Sequence, residues 1–501
     1  MKRIFYIYIL LGLIIAQSCK KDIGNYDYTN TEIIQIDTTN VGGKYRLVKF
    51  SNLKISPKVS IPDGHSADFE WLLYAKQTNN SVVPKSKVIS TSANLDVTIS
   101  ESVGEYVVEL IVTDKVDGYK SNVTFNLTVT ANMEFGMMVL YQGANGGDLD
   151  FIRTPALASS ITETSHVKSL YSSTMGGPLP GEAKFIWNAR LAYQIVNWIT
   201  IASDNSIHRF FGNDFTFIRN QEDMFRVRDT KINPQAYVFA TSSQQLLINN
   251  GKLSLAATGF YESDVKFGSP ADGDYELAPY LSPKISSGFI GVAYDQKNGR
   301  FVRYLSATHR MGDFEAPTAG QPFDLRNIGK DMLYMTSGSA NHTFAFFKDK
   351  TGDGRYLYAI DFNVYSDNGS LGQGAYNMTN LPEIKDAKHY QVSGFAGYAY
   401  YATNNKIYNY AYRSSNTAEV AFQIPADEQI TCMRFYRPSP NSLVADKEER
   451  VLYVATWNGT IAKVYELEIN ETTGVIKQTP LNVFEVDGKV VDMAARAQGL
   501  G

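Results

Sequence analysis

Side chains that could bind metals or transfer protons are scattered along the sequence. The six histidines stand at positions 65, 166, 208, 309, 342 and 389, and none has a partner at the HExxH or HxH spacing of a zinc site. The sequence contains no GxSxG nucleophile elbow, no Walker loop and no GxGxxG followed by a helical pattern. Two carboxylates from separate elements could still form a glycosidase pair, because sequence spacing does not constrain such partners. The sequence therefore favours binding over catalysis and leaves an enzyme open.

One short loop has the oxygen donors of a calcium site. Asp349, Thr351 and Asp353 alternate with other residues in the run Asp-Lys-Thr-Gly-Asp-Gly, as donors do in calcium loops. The glutamate expected at the twelfth loop position is absent, since Ile360 stands there. Both glycines suit a tight hairpin turn without an ion. We predict a plain turn and no metal, with these three residues as a weak calcium candidate and no cofactor elsewhere.

Aromatic residues are the other candidates for ligand contact. They make up 13% of the chain, with 32 Tyr, 27 Phe and 4 Trp. Trp187, Trp198 and Trp457 are the ligand-binding candidates, because a flat ring can stack on a sugar or a peptide. Packing within the strands is the competing interpretation of each tryptophan. The formal net charge of −4 provides no basic surface for nucleic acid.

The first twenty residues predict export and a lipid anchor. Two basic residues precede an apolar run over residues 4–15, which has the length of a signal h-region and is too short to span a bilayer. Ala-Gln-Ser-Cys19 follows and resembles a bacterial lipobox, which implies cleavage before Cys19 and its acylation. We therefore expect a lipoprotein signal peptide over residues 1–18 and a lipidated polar tether over residues 19–40. Cys432 then has no disulfide partner, so the domains must be held together by burial.

Residues 41–131 alternate in the manner of a β-sandwich. Short period-2 runs are separated by turn residues, and the clearest pair covers residues 105–112 and 123–129. These strands and the single Trp71 predict an immunoglobulin-like sandwich. Its last strands resemble those of a PKD domain, although Leu72-Leu73-Tyr74 replaces the aspartate and glycine residues that follow the tryptophan in true PKD domains. The predicted domain is therefore PKD-like, and a spacer is its expected role.

Residues 132–501 contain seven hairpin patterns. Their turns lie at Asn145, Asp204, Asn250, Asn298, Gly352, Asn404 and Asn458. The mean spacing is about 52 residues, close to the period of a β-propeller blade with four strands. We predict an all-β chain in which the sandwich is followed by a seven-bladed propeller, closed by pairing of residues 488–493 with residues 137–140. The alternative is a large meander or sandwich, because no blade carries a WD dipeptide. The irregular segment 171–182 is expected on a propeller face.

The lipobox, the following Gly-Asn-Tyr-Asp-Tyr at residues 24–28, the PKD-like sandwich and the repeat region together resemble the PKD-like surface lipoproteins of the Bacteroidota. Genes for these proteins lie beside SusC/SusD-type outer-membrane importers. The resemblance implies an outer-membrane protein, lipid-anchored and facing the cell exterior, that assists nutrient uptake by binding an oligosaccharide or a peptide. Its partners would be the importer and other surface lipoproteins. A surface glycan- or peptide-degrading enzyme and a purely structural importer subunit are the alternatives.

Overall fold

The computed structural model describes residues 32–77, 85–131, 133, 135–190, 197–227, 231–241, 244–257, 266–283, 285, 288–437 and 449–497. Cys19, the predicted signal peptide and residues 24–28 lie outside this part of the chain. Contacts divide the chain into two compact units: the first unit is Met1–Tyr45, Lys54–Val97 and Tyr106–Asn126, and the second unit is Arg46–Leu53, Thr98–Glu105 and Leu127–Gly501. Within the described ranges, no helix has the length and apolar character needed to cross a membrane.

Nine strands form the predicted sandwich in the N-terminal part of the described chain. They are β1 (Gln35–Asp37), β2 (Lys44–Val48), β3 (Asn52–Ile55), β4 (Lys58–Ser60), β5 (Ala67–Ala75), β6 (Lys87–Ser90), β7 (Leu95–Thr98), β8 (Gly104–Asp114) and β9 (Lys120–Thr130). The main sheet has the strand order β2-β9-β8-β5-β6, while β3 pairs with β7 and β1 with β4. Buried and less buried residues alternate along β8 and β9, as the sequence pattern predicts.

Trp71 is the centre of the sandwich core. Its side chain is fully buried and stacks on Phe125, with ring centroids 6.0 Å apart. The indole N–H donates to the carbonyl oxygen of Ser92 at 2.9 Å, which satisfies the one polar atom that burial would otherwise leave unpaired. A predicted central tryptophan is therefore confirmed by its packing.

Seven antiparallel sheets follow in the described residues, here called sheets I to VII in chain order. Sheet I contains β10 (Phe135–Gly143), β11 (Gly146–Arg153), β12 (Ser165–Val167) and β36 (Lys489–Ala497). Sheet II contains β13 (Ala183–Arg190), β14 (Asn197–Ser203), β15 (Ile207–Phe211) and β16 (Phe217–Asn220). Sheet III contains β17 (Pro234–Thr241), β18 (Gln244–Asn249) and β19 (Lys252–Ala257).

The remaining four sheets have four strands each. Sheet IV contains β20 (Leu277–Leu281), β21 (Val292–Asp295), β22 (Arg300–Leu305) and β23 (Arg310–Gly312). Sheet V contains β24 (Lys330–Ser337), β25 (Thr343–Asp349), β26 (Arg355–Ile360) and β27 (Gly372–Asn377). Sheet VI contains β28 (His389–Val392), β29 (Ala399–Ala402), β30 (Lys406–Tyr410) and β31 (Ala418–Gln423). Sheet VII contains β32 (Gln429–Phe435), β33 (Val451–Trp457), β34 (Ala462–Glu468) and β35 (Asn482–Val486).

The short helices lie between these strands. They are α1 (Leu170–Met175), α2 (Gln221–Met224) and two 3₁₀ turns at Ser339–Asn341 and Ile384–Asp386. The segment 171–182, expected to be irregular, therefore begins within a helix. The side chain of Asp148 stabilises the start of this helix. Its Oδ1 accepts hydrogen bonds from the backbone N–H groups of Tyr171 and Ser172, both at 3.1 Å, and so satisfies donors that a helix N-terminus leaves free.

One strand from each sheet contributes to a closed inner ring. The strands β36, β13, β17, β20, β24, β28 and β32 contact one another in this order, and β32 contacts β36 again. The predicted closure is confirmed, since Val139 pairs with Met493 and Leu140 with Asp492. Closure removes the exposed edge that β10 would otherwise present. The fold is thus an all-β PKD-like sandwich followed by a β-propeller.

All seven predicted hairpins are present: six are the two middle strands of a four-stranded sheet, and in sheet III the hairpin is β18 and β19, which follow the inner strand β17. In sheet III, Leu246 pairs with Leu255 and the turn residues Asn250 and Gly251 have φ values of 52° and 70°. These left-handed conformations are the ones that Asn-Gly hairpin tips supply. The seven inner strands lie outside these hairpins, so the hairpin pattern in the sequence does not mark them.

Candidate functional site

Polar side chains of five inner strands meet at the centre of the ring. Arg434 on β32 lies over the ring of Tyr334 on β24, with its guanidinium carbon 5.5 Å from the ring centroid. Because β28 lies between these two strands in the ring, their side chains can meet only by projecting towards the ring centre. We call Tyr280, Tyr334, Gln391, Arg434 and Asp492 the axial cluster.

An ion pair forms the charged part of the axial cluster. Arg434 Nη2 donates to Asp492 Oδ1 at 2.7 Å, and the two side chains are 30% and 11% exposed. The second oxygen of Asp492 accepts the Ile186 backbone N–H at 3.2 Å. Burial by itself lowers the pKa of Arg434, but the interactions with Tyr334 and with the Asp492 carboxylate outweigh it, so this pKa is well raised. The guanidinium is therefore a permanent positive charge that solvent still reaches.

Two tyrosines provide the aromatic part of the axial cluster. The rings of Tyr280 and Tyr334 meet edge to face, with centroids 5.3 Å apart, and both residues are half-buried. Tyr280 donates its hydroxyl to the Leu333 carbonyl at 2.9 Å. Gln391 Nε2 lies 3.0 Å from both the Tyr334 hydroxyl and the Met433 carbonyl, and donates to each. Side chains fixed by such bonds give a preorganised surface rather than a fluctuating one.

The neighbouring titratable groups of the ring are unsuited to acid–base or nucleophilic work near neutral pH. Burial lowers the pKa of His389 to about 4, and the charge of Arg434 adds to this shift. The neutral imidazole donates from Nε2 to the Ile430 carbonyl at 3.2 Å. Burial raises the pKa of the Cys432 thiol to about 12, and this residue is 2% exposed. The axial cluster itself holds one carboxylate, whereas glycoside hydrolysis ordinarily needs two.

The three candidate tryptophans lie in sheets II and VII and are not members of the axial cluster. Trp198 is 3% exposed and lies under the Arg209 guanidinium, whose carbon is 4.8 Å from the ring centroid. Trp187 is half-buried on β13 and packs against the apolar clusters of sheets II to IV. Trp457 is half-buried at the end of β33 and packs against the core shared by sheets I and VII. A stacking role stays a prediction for these residues.

The calcium candidate is the turn between β25 and β26. Lys330 Nζ lies 2.6 Å from Asp349 Oδ1, and Lys385 Nζ lies 2.5 Å from Asp353 Oδ2. Each lysine holds the pKa of its aspartate below the usual range. The side chain of Thr351 is exposed. A calcium ion at this turn would therefore have to compete with a lysine ammonium group for each of the two carboxylates.

Sequence reasoning missed a second possible cation-binding group in the first unit. The donor atoms of His65, Asp114 and Asp117 lie within 4.8 Å of one another, the one such set among the described residues. His65 Nδ1 is 2.7 Å from Asp114 Oδ2, and the hydrogen bond raises the pKa of His65. Asp114 Oδ1 accepts the Val116 N–H at 2.8 Å. These contacts already engage both oxygens of Asp114. Because His65 and Asp114 are 49 positions apart in the sequence, no short sequence motif indicates the set.

Comparison with known proteins supports the fold. Residues 19–183 match the model of the PKD-like family. The matched range covers the sandwich and the strands β10, β11 and β12 of sheet I, and it ends at the first residue of β13. No curated protein matches the chain in sequence.

Solved structures resemble this chain over most of its length. A quinonprotein alcohol dehydrogenase-like protein from Bacteroides thetaiotaomicron aligns with a TM-score of 0.52 and 12% identity, over 93% of this chain and 97% of that one. A suggested 6-phosphogluconolactonase from Bacteroides fragilis has a TM-score of 0.45 and 12% identity, over 73% and 98%. A functionally unknown protein from Desulfotomaculum acetoxidans has a TM-score of 0.40 and 11% identity, over 73% and 99%. At such identities the likeness extends to the fold alone.

Proposed function

We propose that this protein is a non-catalytic surface lipoprotein of the outer membrane, anchored through Cys19, that binds an oligosaccharide for a SusC/SusD-type importer. The observation that carries the binding role is the axial cluster. It combines two tyrosine rings, an amide and a partly exposed ion pair, and aromatic faces with a few fixed polar groups are what ligand sites use. The PKD-like match supports the surface setting.

The contacts favour binding over turnover for a physical reason. Asp492 already bonds Arg434 and the Ile186 N–H, so its oxygens are engaged rather than free to move a proton. Each of the other members can donate or accept hydrogen bonds without changing its charge near neutral pH. A sugar offers the complementary pattern, since its hydroxyls both donate and accept and its C–H face packs on aromatic rings.

The test is retention of the purified chain on immobilised oligosaccharide and peptide panels. We expect retention on a glycan without release of product. Tyr334→Ala removes a ring of the axial cluster and should weaken retention by about tenfold, the loss expected for one ligand-stacking ring. Tyr365→Ala is the matched control, because Tyr365 is 85% exposed and outside the cluster. Equal retention of both variants, retention on peptides alone, or product release would refute the proposed function.

The anchoring and partner parts need a separate experiment. We expect the native protein to fractionate with outer membranes, to be accessible to protease on intact cells, and to co-purify from detergent with a SusC/SusD-type pair. Cys19→Ser should release it from the membrane, because acylation of this thiol is the proposed anchor. If the Cys19→Ser protein stayed bound to the membrane, Cys19 would not be the lipid anchor. If the native protein purified without a SusC/SusD-type pair, the proposed partnership would be contradicted.

A further inference from the structure

A cavity in the second unit lies outside the axial cluster and contains a buried lysine. It has a volume of about 490 Å³ and is lined by residues of the segments 48–51, 131–133 and 151–170 together with Asp214, all of which belong to the second unit. The volume is within the range of small-ligand sites. Its lining residues include the aromatic Phe50 and Phe151 and the hydroxyl-bearing Ser160, Thr162 and Thr164.

Lys49 is the unusual member of this wall. The residue is 4% exposed, and no hydrogen bond or ion pair joins its Nζ to any residue in the described ranges. Its nearest named contact is the ring of Phe50, whose centroid is 5.1 Å from Nζ. Burying an ammonium group without a partner is costly. An unpaired ammonium in a cavity wall therefore points to an anionic group that the cavity receives.

The backbone holds Lys49 and Phe50 at this position. The Lys49 N–H donates to the Thr130 carbonyl at 2.8 Å, and the Phe50 N–H donates to the Ile99 carbonyl at 2.7 Å. Phe50 has a φ of 69°, a left-handed conformation that costs energy for a bulky residue. Strain of this kind persists where the surroundings fix it, and here it places an ammonium and an aromatic ring in the same wall.

Two carboxylates act on the Lys49 ammonium through space. Asp214 and Glu101 act on Lys49 through space and partly offset the lowering of its pKa by burial. Both oxygens of Asp214 are engaged by Thr216, through its backbone N–H at 3.0 Å and its hydroxyl at 2.6 Å. Glu163 also lines the cavity and is exposed, and Arg153 contributes a second positive charge.

We infer that this cavity binds an acidic sugar, with the sugar carboxylate on Lys49. Charge-assisted bonds from ammonium to carboxylate are among the strongest hydrogen bonds in proteins. The hydroxyls of Ser160, Thr162 and Thr164 suit a polyhydroxylated ring, because each can donate and accept. The ring of Phe50 offers an aromatic face on which the C–H groups of the sugar can pack. The inference does not depend on the axial cluster.

The experiment is calorimetry on the purified chain with D-galacturonate and D-galactose, which differ in the carboxylate at C6. We expect galacturonate to bind at least about tenfold more tightly than galactose, as for one charge-assisted hydrogen bond. Lys49→Met should reduce the galacturonate affinity to that for galactose. Lys489→Met, at an exposed lysine of β36 that does not line this cavity, should leave the galacturonate affinity unchanged.

A second measurement, the melting temperature without ligand, tests the inference even if galacturonate binds too weakly for calorimetry. Without ligand, Lys49→Met should melt at or above the wild-type temperature, because an unpaired buried charge is removed. A lower melting temperature would show that the ammonium has a stabilising partner, and the inference would fail. It would also fail if Lys49→Met bound galacturonate as wild type does, if galactose bound equally well, or if N-acetyl-dialanine bound more tightly, which would assign the cavity to peptide carboxylates.

Discussion

The Arg434–Asp492 ion pair should stabilise the ring through energetic coupling, which a double-mutant cycle can measure. Asp492→Asn keeps an oxygen for the Ile186 N–H but removes the charge that faces Arg434. Breaking a fully buried pair costs about 3–5 kcal/mol. Since the Arg434 side chain is 30% exposed, water replaces part of the lost interaction, and we expect a cost of about 2 kcal/mol.

The second arm is Arg434→Met, which leaves Asp492 with its backbone donor alone and should also cost about 2 kcal/mol. The double variant should cost about 2 kcal/mol rather than 4, giving a coupling energy near 2 kcal/mol. Lys477 and Glu468 form the matched control pair, 2.6 Å apart and 62% and 37% exposed. Their coupling should be below about 0.5 kcal/mol.

The assay is urea unfolding followed by tryptophan fluorescence in a Trp71→Phe background. The remaining three tryptophans all belong to the second unit, so the signal reports the ring. Stabilities are compared at equal m-values, because a changed m would indicate a changed denatured state. Additive effects of the two substitutions, or a coupling no larger than that of the control pair, would refute the idea that the ion pair links β32 to β36.

Three further predictions concern other parts of the ring. Because the pKa of His389 is lowered from 6.5 to about 4, its contribution to stability is complete above pH 6.5 and declines as the pH falls towards 4. The total loss of unfolding free energy is about 3 kcal/mol. In His389→Gln this decline should be absent when urea midpoints are measured against pH. Met493→Ala should cost about 3 kcal/mol, since this residue of the closing strand is 2% exposed, and a cost below about 1 kcal/mol would argue against a packed closure. Calcium at millimolar concentration should leave the melting temperature unchanged, because Lys330 neutralises Asp349; a calcium-dependent rise lost in Asp349→Asn would contradict this.

Local patterns predicted the middle strands well because the information they need is local. The turn at Asn250 and Gly251 combines residues that accept left-handed conformations with alternating strands on both sides. The same holds for the sandwich, where Trp71 and the alternation along β8 were visible in the sequence. Periodic spacing then made ring closure predictable, including the pairing of Val139 with Met493.

The axial cluster was not predictable in this way. Tyr334, Arg434 and Asp492 come from strands separated by 58 to about 158 residues, and the ring alone brings them together. The burial of Lys49 also has no signal in the sequence, since nothing in the neighbouring residues shows that this side chain would be 4% exposed. The helix at Leu170–Met175 likewise depends on Asp148, more than 20 residues earlier. Long-range contacts decide each of these features, and a single sequence does not display them.

The last strand of the ring to be synthesised pairs with the first, which affects how an incomplete chain behaves. The strand β36 is synthesised after every other described strand, yet it is the inner partner of β10, with Phe135 opposite Ala497. Until it emerges, β10 keeps an open edge that can recruit a neighbouring chain. A prematurely terminated product lacks both the pairing partner of β10 and Asp492, so an incomplete molecule cannot form the intact axial cluster and would be prone to removal by proteases.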